Sequence, residues 1–412
     1  MAAIVTPTNL TERHPELGAG PLPSDPYWCD AFHQQELEAI FRRTWMYAGR
    51  VEEIPEPGDF FVKNVPTFEM SLLFVRQKDG TIRGFHNVCQ HRGNQVELAS
   101  KGNCRRFRCR FHGWAYGLDG RLLGVPDVEG FPELDRESKG LSEISVATWE
   151  GFIFFHLQRK PEWPLDEFLG QQAQDLVGYP FGDGLNYFQF EGEIQCNWKS
   201  MIDSFCETYH VPHLHHKSIT HTLAGPDNPF GRLIDVRLKG PHRTMSVGGN
   251  GRYTPKPVQA LAFRHSAGPS VTSGGGGSQE TLPKGLNETR APNWAIDVTA
   301  FFPNLIIVIS AGMYFTHQMW PIGAHRTVWQ MRGYLRSAIT AAERFAQENS
   351  IVELRDAVLE DANTLERVHR AMRQGLVPEV IFHDHELGLR HHYHTVVDWV
   401  EKYCSSEQTG RS

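Results

Sequence analysis

The chain has 412 residues, of which 40% are hydrophobic and 22% are charged, a composition typical of a folded globular protein and not of a disordered one. Its formal net charge of −7 gives no general basic field, so composition argues against a nucleic-acid-binding protein. No apolar run is long enough to span a membrane and the first residues lack a secretory pattern, so with seven cysteines in no regular framework we expect a cytoplasmic protein.

The first predicted element is a helix over 35–47, where apolar side chains recur at helical spacing. Short strand-like runs separated by Gly and Asp turns then continue to residue 157, and the clearest is a hairpin around the KDG turn at 78–80. The sequence therefore predicts an N-terminal helical segment at 1–45 and a small all-β domain at 46–157.

From residue 158 the pattern mixes helix and strand. Helical spacing is predicted at 163–177, 197–210 and 339–373, and strands at 188–195 and 304–320. By composition, residues 266–286 form a flexible loop, whose GGGGS run fits either a native surface loop or an engineered linker. We predict an α+β fold in which the all-β domain precedes an antiparallel sheet flanked by helices, 158–412.

Two short motifs in the β domain each combine a cysteine with a histidine. Cys89-x-His91 and Cys109-x-x-His112 each place a thiolate and an imidazole close enough to face one metal site. Zinc accepts two Cys and two His, but zinc fingers usually group cysteines in one pair and histidines in the other. Mixed pairs on two loops suit a Rieske [2Fe–2S] cluster, in which two Cys hold one iron and two His the other.

The flanking residues carry a family resemblance. CQHRG at 89–93 and CRFHGWAYGLDG at 109–120 resemble the cluster motif of the Rieske non-haem iron oxygenases. Respiratory Rieske proteins add a disulfide-forming cysteine to each loop, where this chain has Asn94 and Phe111. Four arginines around the second motif suit either a solvated strand or a docking surface for an acidic electron donor: Arg105, Arg106, Arg108 and Arg110.

A second candidate metal site follows in CETYHVPHLHH. Glu207 and His210 lie three residues apart, which places them on one face of a predicted helix that Pro212 would interrupt before His215. Two histidines and one carboxylate that leave open positions suit ferrous iron that activates O2. The segment also resembles the mononuclear-iron segment of the same oxygenases, in which His210 and His215 would be ligands.

The resemblance implies that the third ligand is Asp361, in VLEDANTLERVHR, although Glu360 and Asp356 stay open because the helix register is uncertain in a charged segment. It also implies that Glu207, where the family usually has aspartate, joins an iron histidine to a Rieske histidine of the neighbouring subunit. Asn197 and Tyr209 are candidates either for orienting ligands or for packing.

The resemblance implies a terminal oxygenase, an aromatic-ring-hydroxylating α subunit with a [2Fe–2S] cluster and Fe2+. Such a homotrimer would take O2, an aromatic or other small organic substrate, and electrons from NAD(P)H through a reductase. A ferredoxin and a small β subunit stay open, and no nucleic acid or membrane partner is expected. Glutamate at 207 is shared with members that act on quaternary ammonium compounds, so demethylation or monohydroxylation of such a cation is the alternative. A Rieske electron carrier or a zinc protein ranks lower.

Overall fold

The computed structural model describes residues 9–183, 186–265, 282–310 and 313–409. They form two compact units, one over residues 41–168 and one that joins residues 1–40 to residues 169–412. Most of the loop predicted at 266–286, including its GGGGS run, lies outside the described residues. None of the described helices is long and apolar enough to cross a membrane.

The N-terminal segment belongs to the second unit. It contains strand β1 (Leu22–Pro23) and helix α1 (Asp30–Glu36), which continues into wider π-type turns at Leu37–Phe41. The helix predicted at 35–47 therefore begins and ends earlier than its spacing indicated. At the end of α1, the buried carboxylate of Glu36 forms an ion pair with the buried ammonium of Lys199, which fixes α1 against the larger unit.

Residues 41–168 form an all-β domain, as predicted. Its strands are β2 (Met46–Arg50), β3 (Asp59–Val65), β4 (Met70–Arg76), β5 (Ile82–His86), β6 (Lys101–Asn103), β7 (Phe107–Arg108), β8 (Ala115–Tyr116), β9 (Leu122–Gly124), β10 (Glu143–Trp149) and β11 (Phe152–His156). Seven of them form an antiparallel sheet in the order β2-β11-β10-β5-β4-β3-β6, and β7-β8-β9 form a second sheet. The predicted KDG hairpin joins β4 to β5.

The second unit is built on another seven-stranded antiparallel sheet. Its strands are β12 (Asn186–Ile194), β13 (Asp235–Lys239), β14 (His242–Gly248), β15 (Trp294–Phe301), β16 (Leu305–Ile309), β17 (Tyr314–Gly323) and β18 (Arg326–Leu335). They follow the order β12-β18-β17-β16-β15-β14-β13. Strand β19 (Glu379–Val380) pairs separately with β1. The apolar run at 304–320 is thus two strands, because the chain reverses between Ile309 and Tyr314, which are paired.

Helices accompany this sheet, so the predicted α+β class with an antiparallel sheet is confirmed. They are α2 (Leu165–Gln174), α3 (Trp198–Phe205), α4 (Val211–Leu214), α5 (Thr220–Leu223), α6 (Pro257–His265), α7 (Ala341–Arg373) and α8 (Leu387–Thr409). The long helix α7 begins at a capping box, in which Thr340 Oγ1 accepts from the Glu343 N–H and the Glu343 carboxylate accepts from the Thr340 N–H.

The helix predicted at 197–210 ends early. Helix α3 stops at Phe205, and the segment that carries Glu207 is not helical. Pro212 does not interrupt a long helix; it lies in the first turn of the short helix α4, where a proline costs no hydrogen bond. The contact between Glu207 and His210 is therefore made by a turn and not by a helical face.

Candidate metal centres and substrate cavity

Two loops of the β domain have the same backbone geometry around a cysteine. In each, the cysteine N–H donates to the carbonyl five residues later, at 2.8 Å for Cys89 and 2.9 Å for Cys109. The residue four positions after each cysteine is a glycine whose N–H donates back to the cysteine carbonyl at 3.0 Å. Both turns need a positive φ, +77° at Gly93 and +74° at Gly113, which explains why glycine follows each Cys/His pair.

These loops bring the two Cys/His pairs together. The side chains of Cys89 and Cys109 are 3% and 2% exposed, whereas His112 lies at the surface. The Nδ1 atoms of His91 and His112 lie 3.1 Å apart, and the His91 ring stacks on Trp114. Two imidazole nitrogens this close need a shared proton or a cation between them. Two buried sulfurs beside two more accessible imidazoles, His91 half-buried and His112 exposed, are the donor set of a Rieske cluster, so the residues fit that group.

Both sulfurs have polar neighbours that the sequence did not indicate. Tyr116 Oη lies 3.3 Å from Cys89 Sγ and accepts a hydrogen bond from the Gln90 N–H, which leaves its own proton for the sulfur. The side-chain amide of Asn94 donates to Cys109 Sγ at 3.6 Å. Hydrogen bonds to sulfur stabilise the more negative state of an iron–sulfur cluster.

Exposed arginines surround these loops. Arg92 places its guanidinium over the ring of Phe111, which is itself exposed beside His112. Four further arginines are exposed: Arg105, Arg106, Arg108 and Arg110. None of the five forms an ion pair with a carboxylate in the described part of the chain. Their positive charge is therefore not neutralised locally.

The second candidate centre is built around helix α4. His210 is the N-cap of this helix and His215 its C-cap, so a single helical turn holds both imidazoles. Their Nε2 atoms lie 3.1 Å apart. Asp361, on α7, completes the group: its Oδ1 is 3.4 Å from His210 Nε2 and 3.3 Å from His215 Nε2. One donor atom from each residue lies within 4.8 Å of the others.

Each of the two histidines also hydrogen-bonds to a further carboxylate through its Nδ1 atom, the ring nitrogen that does not face Asp361. Glu207 accepts from Nδ1 of His210 and also from the backbone N–H of Tyr209. Glu360 accepts from Nδ1 of His215 at 2.7 Å and from the Ser218 hydroxyl at 2.6 Å. Because both Nδ1 atoms donate, both Nε2 atoms turn lone pairs toward Asp361, the arrangement that metal-bound histidines adopt. Glu360, an alternative third ligand by sequence, here orients His215 instead.

The electrostatics of this group favour a cation. Asp361 is 5% exposed, and its Oδ1 accepts no hydrogen bond from the described residues. Burial lowers the pKa of His210, but the Glu207 carboxylate outweighs burial and raises that pKa to about 9. The negative charge that favours a proton on His210, together with the bare carboxylate oxygen of Asp361, would also favour a divalent metal ion, which would displace that proton from Nε2. Two histidines and one carboxylate fit ferrous iron with open positions.

The other two residues singled out from the sequence lie differently. Asn197 caps α3: its side chain accepts from the Lys199 N–H and donates to the Ala324 carbonyl, which are structural contacts. The Tyr209 ring stacks on His383 and is 42% exposed. Only the backbone N–H of Tyr209 contributes to the site, through Glu207.

A cavity adjoins the three candidate ligands. One wall is the face of the sheet where Val247 pairs with Ile296 and Val298 with Val308. Its lining also includes Phe205, Phe315 and His317. No lysine or arginine occurs among the described lining residues. The cavity is therefore apolar, and its two carboxylates, Glu207 and Asp361, already face histidines.

Phe301 and Phe302, which lie at and just after the end of β15, do not line this cavity. Phe301 packs on His242 and Phe302 on Trp399, at the end of β15 away from the candidate ligands.

A second cavity, which Asp203 and Glu386 help to line, also reaches Glu207. Burial raises the pKa of Glu386 to about 7, and the nearby Glu207 carboxylate adds to this shift. Glu207 thus lies between two cavities.

The all-β domain carries a donor set for an iron–sulfur cluster, and the α+β domain carries one for a single metal ion. This combination of two metal sites is typical of an oxygenase. Residues 44–139 match the family model of the Rieske [2Fe-2S] domain, and residues 166–402 match that of the ring hydroxylating alpha subunit (catalytic domain). The chain belongs to the family of Rieske oxygenase α subunits. These domains bring a Rieske [2Fe–2S] cluster and a mononuclear Fe2+ as cofactors.

Curated relatives include proteins with different substrates. The chloroplastic choline monooxygenase of Beta vulgaris is 35% identical over 47% of this chain and 44% of its own length. The large oxygenase component of the Pseudomonas aeruginosa naphthalene 1,2-dioxygenase system is 30% identical over 79% of this chain and 71% of its own. With the choline monooxygenase and with a Rhodococcus jostii biphenyl 2,3-dioxygenase α subunit, the match spans only about half of the relative, 44% and 54%.

A solved structure of a quaternary ammonium Rieske monooxygenase has the same fold. It superposes with a TM-score of 0.73 at 18% identity and covers 96% of this chain and 100% of its own. The two-domain architecture inferred from the sequence motifs is thereby confirmed.

Proposed function

We propose that this chain is the terminal oxygenase component that uses O2 and reductase-derived electrons to hydroxylate an apolar, aromatic-type substrate. One observation carries the proposal: an apolar cavity opens directly on the group formed by His210, His215 and Asp361. A cavity walled by aliphatic side chains takes an apolar ring by desolvation and excludes water from it.

The chain's own residues have separable roles in this reaction. When bound, the cluster supplies single electrons and the mononuclear iron activates oxygen. His210, His215 and Asp361 hold the iron, while Glu207 and Glu360 keep the two Nε2 lone pairs directed toward it. Cys89, His91, Cys109 and His112 hold the cluster. Three protein ligands would leave an iron ion able to bind O2, and the cavity adjoins these ligands.

A quaternary ammonium compound is the second candidate substrate. Glutamate at position 207 and the relatives that oxidise choline or other quaternary ammonium compounds support it. The cavity argues against it, because the only carboxylates among the described lining residues are Glu207 and Asp361. Phe205 and Phe315 are the only aromatic carbocycles there, fewer than a cage around a cation uses. An uncharged ring therefore ranks first.

We further propose that Glu207 connects subunits. Its carboxylate binds the backside nitrogen of His210 and lies between two cavities, so it can receive a second group on its other side. A cluster histidine of a neighbouring copy is that group in our proposal, which requires a homotrimer. Inter-subunit electron transfer is stated for the quaternary ammonium monooxygenase structure.

The electron donor would be an acidic reductase or ferredoxin. The five exposed arginines near the cluster loops carry charge that no described carboxylate neutralises, and charge of one sign accelerates the approach of an oppositely charged partner. None of the seven cysteines, all of which lie in the described part of the chain, forms a disulfide; this suits a reducing compartment, so cytoplasm is our proposed location.

A substrate panel tests the function. The chain, loaded with iron and sulfide, is supplied with NAD(P)H and a surrogate reductase and ferredoxin, under 18O2. We expect oxygen uptake and 18O-labelled products with naphthalene or biphenyl, and none with choline or carnitine. Oxidation of choline or carnitine alone would favour the second candidate. No substrate-dependent uptake by protein that carries both metal centres would overturn the oxygenase function.

A variant tests the subunit connection. Glu207→Gln keeps the size of the side chain but loses its charge, so we expect both metal centres to bind and turnover to fall nearly to zero. Glu401→Gln, at an exposed position on α8, is the matched control and should keep full turnover. Full activity of Glu207→Gln would contradict the proposed role.

A further inference from the structure

His317 has a fixed protonation pattern. The indole Nε1 of Trp329, which can only donate, lies 3.0 Å from His317 Nδ1, so Nδ1 must be the acceptor. Burial lowers the pKa of His317 to about 3, which keeps the ring neutral. A neutral imidazole whose Nδ1 is unprotonated carries its proton on Nε2. The geometry therefore sets a single tautomer with an N–H donor at Nε2.

This donor has no acceptor within the described residues. The side chain of His317 is 0% exposed, and its Nε2 makes no hydrogen bond. Buried donors in folded proteins are paired in the great majority of cases, so one that is not calls for a partner from outside the chain. His317 lines the substrate cavity together with Phe205, whose ring stacks on the imidazole at 4.1 Å. The stacking holds the ring in place and thus the direction of the donor.

We propose that His317 Nε2–H donates a hydrogen bond to an acceptor oxygen of the substrate, so that the substrate is an apolar ring compound that carries a neutral oxygen acceptor. The inference rests on the proposed function, because it takes this cavity as the place where substrate binds. His317 is then a specificity-determining residue: it selects among apolar rings by the presence and position of the oxygen.

The charge of the cavity decides which acceptor fits. A bound Fe2+ would bring two positive charges, which the carboxylates of Asp361, Glu207 and Glu360 already balance. No lysine or arginine is found among the described lining residues to balance a further carboxylate on the substrate. The neutral imidazole adds no positive charge. A carbonyl or ether oxygen satisfies the donor without bringing a buried, unpaired charge into an apolar space. A ketone, ether or similar neutral function is therefore the class of acceptor that the site favours.

Binding measurements separate this inference from catalysis. We would use isothermal titration of the iron-loaded protein, without reductant, against indane, 1-indanone and indane-1-carboxylate. These probes share one ring system and differ at one ring carbon, which carries only hydrogen, a ketone oxygen or a carboxylate group. The wild-type chain should bind 1-indanone roughly tenfold or more tightly than indane, and the carboxylate more weakly than the ketone. Equal affinity for indane and 1-indanone, or tightest binding of the carboxylate, would overturn the inference.

Three variants assign the preference to the donor. His317→Phe removes the N–H and keeps a flat ring, so it should bind indane and 1-indanone equally. His317→Gln can still accept from Trp329 and donate from its amide, and should keep part of the preference. Met245→Leu changes the cavity wall without removing a donor, and should keep all of it. A ketone preference that persists in His317→Phe overturns the inference; should that variant not fold, the wild-type probes and His317→Gln still decide.

Failure of this inference is distinguishable from failure of the proposed function. If the chain incorporates 18O into naphthalene but binds ketone and hydrocarbon equally, the proposed function is supported and the proposed role of His317 is refuted. If the chain prefers the ketone through His317 but oxygenates no substrate, the proposed role of His317 is supported and the proposed function is refuted.

Discussion

Nδ1 of His215 donates to the Glu360 carboxylate at 2.7 Å, across 145 residues of sequence. The bond places a residue of the long helix α7 behind a residue of the loop that follows α4. Its neighbour on α7, Asp361, reaches the opposite nitrogen of the same imidazole at 3.3 Å. Two carboxylates that are adjacent in sequence thus contact the two ring nitrogens of one histidine. Glu360 is the orienting group and Asp361 the candidate ligand.

Removal of the orienting carboxylate should weaken metal binding without abolishing it. In Glu360→Ala, His215 loses the acceptor for Nδ1–H, so its tautomer and ring position are no longer fixed. We expect an affinity for Fe2+ or Co2+ about 10–100-fold lower, measured by anaerobic titration. Asp356→Asn is the matched control on the same helix, because its exposed carboxylate pairs with Arg355 and not with the site. Unchanged affinity in Glu360→Ala would mean that the bond is incidental.

Removal of the candidate ligand should be more severe. In Asp361→Ala, only the two imidazoles remain as ligands, so we expect iron content to fall from about three to about two atoms per chain while the cluster absorption stays. Glu366→Gln, further along α7, is the control, since Glu366 instead accepts from the backbone of Gln195. Metal analysis and the visible spectrum report the two centres separately. Three irons retained in Asp361→Ala would exclude Asp361 as the ligand.

The cluster should respond to Tyr116. Its hydroxyl lies 3.3 Å from Cys89 Sγ and, because it accepts from Gln90, directs its proton to the sulfur. Tyr116→Phe removes a hydrogen bond that stabilises the reduced, more negative cluster. With about 1 kcal/mol for such a bond, the reduction potential should fall by roughly 40 mV for a one-electron couple. Spectroelectrochemistry measures the shift; an unchanged or raised potential would show that the hydroxyl donates elsewhere.

Sequence reasoning located the local features of these sites and missed the distant ones. Cys89, His91, Cys109 and His112 could be predicted, because each pair lies within four residues and glycine marks each turn. The Glu207 contact with His210 was predicted for the wrong reason, since α3 ends at Phe205 and a turn brings the two together. Spacing carries such short-range information well.

Long-range partners depend on packing and strand register, which spacing does not encode. Glu360 and Asp361 are neighbours in sequence. Only the rotation of α7 about its axis decides that Asp361 approaches the Nε2 atoms of the two histidines, whereas Glu360 contacts Nδ1 of His215. Phe301 lies on β15 and Phe315 on β17, and the register of β15 to β17 turns only Phe315 toward the cavity. The unpaired donor of His317 is visible only when Trp329 of the neighbouring strand is in place.

Acid should destabilise the catalytic domain through histidines that are buried in neutral form. Burial, with Arg243 nearby, lowers the pKa of His391 to about 3 and that of His392 to about 4. An unfolded histidine titrates near pH ~6.5, so between that pH and about 4 the unfolded chain binds protons that the folded chain does not. The free energy of unfolding therefore falls as pH falls, by up to about 1.4 kcal/mol per pH unit for each histidine.

Urea unfolding at pH 7.5, 6.5 and 5.5 measures this slope. His391→Gln keeps a donor for the Gly240 carbonyl, which His391 Nε2 contacts at 3.0 Å, but cannot take up a proton. Its stability should therefore depend less steeply on pH than that of the wild-type chain, with the difference confined to the range below pH ~6.5. His216→Gln, at an exposed position, should keep the wild-type slope. Parallel pH profiles for His391→Gln and the wild-type chain would show that His391 is not held neutral by burial.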